Sequence, residues 1–229
     1  MKKNNFYRFG GICSILLGIS YFFVGISYLM LPAEQKAGTL VRNPEKFLTS
    51  LAQDSTFLTI HYIAFVLGAL VGLAVVVAVS DFMKPLNEGW VRWTSHLAYL
   101  GFVAVAIDHL RALAFEPLRA ANFVASDSAY KAALAANTSL TSIDPHMWLE
   151  CGGVGLWILV ISLLSIRRHT LPKILAILGI AAAIFYWFVI FGTLFRMEKL
   201  ISTAAFGALV LGPVWYIWMG LILRKLIKN

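Results

Sequence analysis

The chain has 229 residues, of which 60% are hydrophobic and 13% are charged, and its formal net charge is +8. A soluble domain carries about 25% charged residues and about 45–50% apolar ones, so this composition excludes an ordinary soluble protein. It predicts an integral membrane protein instead. The two cysteines, Cys13 and Cys151, lie far apart in apolar stretches without metal-ligand spacing, and we expect buried free thiols.

Six apolar stretches are long enough to cross a membrane as helices. A spanning helix needs about 20 mainly apolar residues, because each residue adds about 1.5 Å to a path of about 30 Å. The first stretch follows MKKNNFYR but is too long for a secretory signal, and no small-x-small cleavage site follows it. The sequence therefore predicts an all-α integral membrane bundle of six transmembrane helices, forming a single domain. These helices are expected at about residues 9–31, 56–80, 91–115, 145–166, 172–195 and 201–223.

The distribution of charge predicts the orientation of the helices. With both termini on one side of the membrane, that side carries eleven basic and two acidic residues. The other side carries eight basic and nine acidic residues. Lys and Arg are enriched in cytoplasmic loops, so both termini are expected to be cytoplasmic. The positive charge is thus explained by membrane topology, and no nucleic-acid partner is expected.

The two longer connections are predicted on the outer side. Residues 32–55 are expected to be irregular, with Pro44 breaking the segment. Further along, the sequence SDSAYKAALAAN predicts a short extra-membrane helix at about residues 127–136. Ser126 or Asp127 can cap this helix, because a short polar side chain accepts a hydrogen bond from an unpaired N–H in the first turn.

Glycine residues mark faces where helices are expected to pack closely. Small residues let two backbones approach each other within a membrane, where close packing holds helices together. One set repeats at heptad spacing in the first helix, a second forms a small-xxx-small pair in the second helix, and a third lies in the fourth. The predicted packing glycines are Gly11, Gly18, Gly25, Gly68, Gly72, Gly152 and Gly153.

Ionisable residues inside the apolar stretches are the most informative feature of the chain. A charged side chain in hydrocarbon costs several kcal/mol (about +2.5 to +3.5 on insertion scales), so it normally faces a bundle interior and has a partner. Three consecutive helices carry His or carboxylate residues at a similar depth near the outer side. The cytoplasmic half has no comparable group. The predicted buried polar cluster comprises His61, Asp108, His109, Arg111, His146 and Glu150.

Three interpretations of this cluster are open. The first is an ion-pair and hydrogen-bond network that holds helices together, since buried charges must be paired whatever the function. The second is a metal or haem site built from facing helices, although neighbouring residues such as Asp108 and His109 point about 100° apart on a helix. The third is a proton or small-solute path. The candidate metal ligands are His61, Asp108, His109, His146 and Glu150, and His61 with His109 or His146 could hold a haem.

The second half of the chain has two recognisable features. A basic loop precedes a Gly/Ala-rich helix in RRHTLPKILAILGIAAAIFYWFVIFG, and the chain closes with LGPVWYIWMGLILRK. Over about residues 167–225 this half resembles small bacterial multi-pass inner-membrane proteins of unknown function. The resemblance implies a helical bundle in a bacterial inner membrane and carries no activity with it.

These features favour one function over two others. The favoured one is a structural or accessory subunit of a membrane complex, in contact with the lipid bilayer and with a membrane-protein partner or a second copy. The alternative is a metal- or haem-dependent membrane enzyme or electron-transfer protein that uses the polar cluster. A proton or small-solute pathway is the third. No GxSxG, HExxH, Walker or GxGxxG pattern points to a more specific chemistry.

Overall fold

The computed structural model describes residues 3–136 and 142–225. Within these ranges the chain forms helices and their connections, with no β-strand. Short 3₁₀ turns at Ala33–Gln35 and Lys84–Leu86 and a π-helix at Trp148–Gly153 join the longer elements. The α-helices are α1 (Lys3–Met30), α2 (Ala37–Arg42), α3 (Pro44–Gln53), α4 (Thr56–Met83), α5 (Glu88–Ala125), α6 (Ser128–Ala136), α7 (Val154–Arg168), α8 (Lys173–Leu194) and α9 (Glu198–Lys225).

In the described part of the chain, six helical segments are long and apolar enough to cross a membrane. They are α1, α4, α5, α8, α9 and the continuous segment that the π-helix forms with α7. This confirms the predicted class, an all-α membrane bundle with six spanning helices. The third span is longer than the expected residues 91–115, because α5 has 38 residues and continues through Pro117. The fourth begins at Trp148 rather than at residue 145.

The six spanning segments form a closed ring. Each packs against the segments that precede and follow it in the chain, and α9 packs against α1. Large side chains fill the centre, and the indole rings of Trp157 and Trp215 meet edge to face with their centroids 5.8 Å apart. Leu17, Phe102 and Tyr216 are fully buried beside them. The interior at this level is therefore a packed aromatic core.

The outward faces of the spanning helices are apolar. Exposed large hydrophobic residues recur every three or four positions along them, which is the spacing of one helix face. A bundle surrounded by lipid presents such stripes on its outside, which agrees with contact to a bilayer. The clearest examples are Phe9, Ile12, Leu16, Ile19, Phe23, Ile26 and Met30 on α1, and Ile174, Ile177, Ile184, Phe188 and Phe191 on α8.

Three predicted packing glycines of α1 face α9, and two of them bring the two backbones into close contact. A Cβ atom at Gly11 would lie 2.8 Å from the carbonyl oxygen of Gly220, and one at Gly18 would lie 2.7 Å from that of Pro213. Real Cβ atoms essentially never come this close to another atom, so both positions require glycine. At Gly25 the helices are further apart, with 3.9 Å to the nearest α9 atom.

The other four predicted packing glycines also face helices of this chain. A Cβ atom at Gly153 would lie 2.5 Å from the carbonyl oxygen of Leu97 on α5, so the π-helix sits directly against that backbone. All seven glycines are thus occupied by contacts within the ring. The nearest partners of the remaining three are Tyr21 for Gly68, Phe102 for Gly72 and Ile190 for Gly152.

The connection between α1 and α4 is helical, and the expectation that it is irregular is wrong. Pro44 occupies the first turn of α3, where the Asn43 side chain accepts a hydrogen bond from the backbone N–H of Lys46 at 3.0 Å. Proline is tolerated at this position because its missing N–H has no helical partner there anyway. We call residues 32–55 the outer cap, and the end of the ring that they cover the outer end, after the side of the membrane on which the sequence predicts them. The outer cap packs on the bundle through a hydrophobic cluster of Leu31, Phe47, Leu48, Leu51, Leu58, Ala120 and Phe123.

The second outer connection contains α6, close to the short helix expected at residues 127–136. The backbone N–H of Tyr130 donates to Asp127 Oδ1 at 2.9 Å, so Asp127 caps this helix. The Ser126 hydroxyl donates instead to the Asn122 carbonyl at 2.6 Å. Of the two capping residues left open by the sequence, the structure thus selects Asp127.

Candidate functional site

His61 connects α4 to α1 at the outer end of the ring. Its side chain is buried, and its Nδ1 lies 2.8 Å from the hydroxyl oxygen of Ser27. The Ser27 hydroxyl also donates to the Val24 carbonyl at 2.9 Å. Because a hydroxyl has one hydrogen to donate, Ser27 then accepts the hydrogen carried by His61 Nδ1. The imidazole is thus held by a side chain of the neighbouring helix.

His109 is held by its own helix and by aromatic rings of α4. Its Nδ1 lies 2.8 Å from the Val105 carbonyl, which can only accept, so Nδ1 carries the hydrogen. The imidazole stacks on Phe65 with 4.1 Å between centroids and meets the edge of Tyr62 at 5.5 Å. Phe65 also contacts His61, at 5.1 Å. The two histidines therefore pack on one phenylalanine ring, each with its Nδ1 already engaged.

A buried carboxylate outside the predicted cluster connects α5 to α4. Glu116 is 5% exposed and accepts a hydrogen bond from the Tyr62 hydroxyl at 2.8 Å. Arg119, one turn further along α5, interacts electrostatically with Glu116. A small cavity beside this pair lies between α5, the start of α4 and the outer cap. Its lining comprises Leu51, Ser55, Leu58, Thr59, Tyr62, Ala112, Leu113, Glu116 and Pro117.

Asp108 holds the segment that leads into the fourth span. Its carboxylate accepts a hydrogen bond from the Ser142 hydroxyl at 2.6 Å and another from the backbone N–H of Ile143 at 2.8 Å. Both donors are more than thirty residues away in the chain. Arg111 lies one turn along α5 and is partly buried. Asp108 is therefore used as an anchor between α5 and residues 142–143.

Asp144 caps the π-helix that opens the fourth span. Its carboxylate accepts hydrogen bonds from the backbone N–H groups of Trp148, Leu149 and Glu150 at 2.9, 2.6 and 3.1 Å. These N–H groups have no partner within the helix, so a buried helix start needs such an acceptor. Met147, with φ 59°, turns the chain in the left-handed region just before the π-helix.

His146 lies outside the polar cluster, because its side chain is exposed. The sequence expectation placed it in the first turn of a helix starting at residue 145. In the structure His146 precedes the helical segment, and its carbonyl accepts a weak hydrogen bond of 3.4 Å from the Thr193 hydroxyl. The four-residue spacing of His146 and Glu150 therefore does not place them on one helix face.

Glu150 is the third residue of the π-helix. It is partly buried and lies close enough to interact electrostatically with Tyr21 on α1, Tyr186 on α8 and the adjacent Cys151. The buried hydroxyl of Tyr216, on α9, lies next to Tyr186. This group of aromatic hydroxyls was not part of the predicted cluster.

No three His, Cys, Asp or Glu side chains in the described part of the chain are grouped so that they could hold a metal ion. Apart from His61 and His109, which pack on the same Phe65 ring, the expected ligands are separated by their own contacts. His61 pairs with Ser27, Asp108 binds residues 142–143, and His146 faces outward. His109 and Glu150 remain on different helices, with different neighbours.

Two carboxylates in the connection before α4 have displaced pKa values. The pKa of the exposed Glu34 carboxyl is lowered, first by a backbone hydrogen bond and then by Lys46, whose ammonium lies 3.2 Å away. The pKa of Asp54 is lowered because its carboxylate accepts the backbone N–H of Thr56 at 2.8 Å. Both groups are therefore ionised, and their contacts hold the outer cap and the start of α4.

Two residues of the site that were not in the predicted cluster, Glu116 and Asp144, could have been recognised from the sequence. Glu116 follows His109 by seven residues, so the two share a face of α5, and both meet Tyr62. Asp144 stands directly before the fourth span, where a short acidic side chain is a preferred helix cap. The inward direction of Tyr21, Tyr186 and Tyr216 had no comparable signal, because tyrosine is common at helix interfaces of any kind.

The fold and these contacts define a six-span α-helical membrane protein whose outer end carries a network of polar anchors. The chain belongs to the family described as a domain of unknown function, DUF4386, whose model matches residues 12–223. The match agrees with the uncharacterised family expected from the second half, and it extends over the first half as well. No curated protein and no solved structure matches the chain.

Proposed function

We propose that this chain is a non-enzymatic integral membrane protein, a structural or accessory subunit of a membrane complex. The observation that carries the proposal is that the outer polar residues join elements of the fold. Asp108 joins α5 to residues 142–143, Glu116 joins α5 to α4, and His61 joins α4 to α1. Asp144 caps the π-helix.

The energetics of buried polar groups support this reading. A polar group in a membrane interior costs free energy unless it is hydrogen-bonded, so side chains such as Asp108 and Asp144 need donors. Asp144 binds three donors, so its carboxylate has little acceptor capacity left for a metal ion. The hydrogen bonds of Asp108 connect segments that are distant in the chain. Stabilising the outer end of the ring is therefore sufficient reason for these residues to be present.

The outer cap offers a polar surface to a partner. The glycine-lined faces are occupied within the ring, and the outward helix faces are apolar. The outer cap instead presents a polar groove to the outside, lined by Glu34, Asn43, Glu45, Lys46, Thr49, Ser50 and Gln53. These side chains include neutral polar, acidic and basic groups, and such a surface suits the extra-membrane part of a partner subunit.

The first test is made on the protein isolated from its own membrane in mild detergent. Under native conditions we expect a particle larger than one chain with its micelle, containing a second subunit in fixed stoichiometry. Elemental analysis and the absorption spectrum are expected to show no stoichiometric metal or haem. A lone chain would contradict the subunit function. Near-stoichiometric metal or haem that is lost in His61→Ala but kept in the exposed control His146→Ala would favour the metal- or haem-dependent enzyme.

Together with this function, we propose that both termini lie in the cytoplasm of a bacterial cell. The basic residues near the expected cytoplasmic side support it, through the enrichment of Lys and Arg in cytoplasmic loops. Green fluorescent protein fused after Asn229 is expected to fluoresce, and alkaline phosphatase fused at the same point is expected to be inactive. The opposite pair of results would place the C-terminus outside.

A further inference from the structure

The small cavity beside Glu116 is not used by the proposed function. It lies between α5, the start of α4 and the outer cap. Its volume is about 10 Å³, close to the least space that one water molecule requires. A cavity of this size stays dry when its wall is apolar and holds water when the wall offers two or more hydrogen-bonding groups. The polar groups of the wall therefore decide what the cavity holds.

The wall formed by α4 carries hydroxyl groups. Ser55, which precedes the helix, and Thr59 and Tyr62 follow one another at four and three residues, which is the spacing of one helix face. The Tyr62 hydroxyl donates to Glu116 at 2.8 Å. Among the described residues, the hydroxyls of Ser55 and Thr59 have no hydrogen-bond partner. Two groups that can both donate and accept a hydrogen bond are thus left on residues of this wall.

The wall formed by α5 contains a break in the backbone hydrogen bonds. Pro117 lies inside the helix and has no N–H, so the Leu113 carbonyl, four residues earlier, lacks the donor that an uninterrupted α-helix would give it. Leu113 and Pro117 both line the cavity, as does Glu116 between them. In the described part of the chain no side chain donates to the Leu113 carbonyl. Spanning helices that contain proline recover such a donor from a neighbouring side chain or from ordered water.

We propose that this cavity is a binding site for one buried water molecule. The water donates one hydrogen bond to the Leu113 carbonyl and one to the Glu116 carboxylate, and accepts a third from the hydroxyl of Ser55 or Thr59. A buried water typically makes about three hydrogen bonds, and the two walls together supply both acceptors and donors. The bound water replaces the donor that Pro117 removes, and it links α5 to the start of α4.

A neutral occupant fits the charges around the cavity better than a cation does. Arg119, one turn along α5, interacts electrostatically with Glu116 and balances its negative charge. A cation in the cavity would lie beside the carboxylate but would also be repelled by this guanidinium group. In addition, no three His, Cys, Asp or Glu side chains of the described residues are grouped to hold a metal ion. Water meets the hydrogen-bonding needs of the wall without adding charge.

Hydroxyl-radical footprinting of the full chain in lipid tests the proposal without any substitution. Radicals that X-rays form from a bound water oxidise the side chains beside it, including those that bulk solvent does not reach. Leu58 and Leu48 are 3% and 1% exposed and belong to the same hydrophobic cluster, but of the two only Leu58 lines the cavity. We therefore expect oxidation at Leu58 and none at Leu48. Oxidation of Leu58 no greater than that of Leu48 would overturn the proposal.

A cavity-filling variant shows whether the oxidation at Leu58 comes from water in this cavity. Ala112 is buried and lines the cavity, so the larger side chain of Ala112→Val takes the space of the water. We expect the oxidation at Leu58 to be lost in Ala112→Val and kept in Ala114→Val, which changes an exposed position of the same helix. Oxidation of Leu58 that persists in a folded Ala112→Val protein would contradict the proposal. If Ala112→Val does not fold, the comparison of Leu58 with Leu48 in the unsubstituted chain decides.

Discussion

Tyr62 illustrates how single residues hold the outer end of this protein together. Its hydroxyl donates to the buried carboxylate of Glu116, and its ring meets both His61 and His109. One side chain of α4 thus contacts a charged and an aromatic group of α5. A hydrogen bond to a buried charge contributes more to stability than one between neutral groups.

Removing this hydroxyl is expected to destabilise the protein. Tyr62→Phe keeps the ring and leaves the Glu116 carboxylate without its donor, a loss of about 1–3 kcal/mol in the free energy of unfolding. The measurement is the thermal unfolding midpoint in detergent. Tyr130→Phe is the matched control, since Tyr130 is exposed on α6. Equal midpoints for the two variants would show that the Tyr62–Glu116 bond does not stabilise the fold.

The direction of individual side chains is what the sequence left undetermined. Periodicity and hydropathy place His61, Asp108 and Glu150 at a similar depth, but depth does not specify which neighbour each one meets. Asp108 binds a segment 34 and 35 residues away, and Tyr62 binds a residue 54 positions away. Such partners depend on how each helix is rotated about its own axis in the ring. The sequence specifies this rotation poorly, because the spanning helices carry hydrophobic residues on every face.

Among the elements, the π-helix is held on two sides. Asp144 caps its start, and Gly153 at its end lies directly against the α5 backbone at Leu97. The close approach requires the absence of a side chain on that face. Together these contacts fix the segment that carries Glu150.

We therefore expect Gly153→Ala to destabilise the bundle. The added Cβ would lie 2.5 Å from the Leu97 carbonyl oxygen, and overpacking of this kind typically costs about 1–3 kcal/mol. Gly89→Ala is the control, because a Cβ there would meet no atom closer than 3.8 Å. The measurement is the thermal unfolding midpoint of each of the two variants. A Gly153→Ala protein as stable as Gly89→Ala would contradict the packing described here.

The elements themselves were largely predictable from the sequence, because their physical signal is strong. Six long apolar runs can only be spanning helices, and all six are present. The errors occurred at prolines. Pro44 starts a helix instead of breaking the segment, and Pro117 lies inside α5 instead of after its end. Proline removes one backbone donor, and whether the chain tolerates that depends on its neighbours.

For the molecule as a whole, the ring has two distinct ends. At the outer end, His61, Asp108 and Glu116 form long-range hydrogen bonds, and the outer cap and the segment 142–147 cover the bundle. At the opposite end, the Tyr7 hydroxyl donates to Asp81 and the Trp157 indole N–H donates to Ser80. On the opposite side, the exposed Lys84–Glu88 pair lies between α4 and α5. The central claim is that the outer polar residues hold this end of the ring closed.

Hydrogen exchange of Asp108→Asn, followed by mass spectrometry, tests this claim most directly. The substitution removes the charge and one of two acceptor oxygens, and hydrogen bonds to charged groups contribute about 1.5–3 kcal/mol. Amides between Ser142 and Glu150 are therefore expected to exchange about ten- to a hundredfold faster, with α8 unchanged. Asp127→Asn, whose carboxylate caps only the exposed α6, is the control. Unaltered exchange between Ser142 and Glu150 in Asp108→Asn would contradict the account.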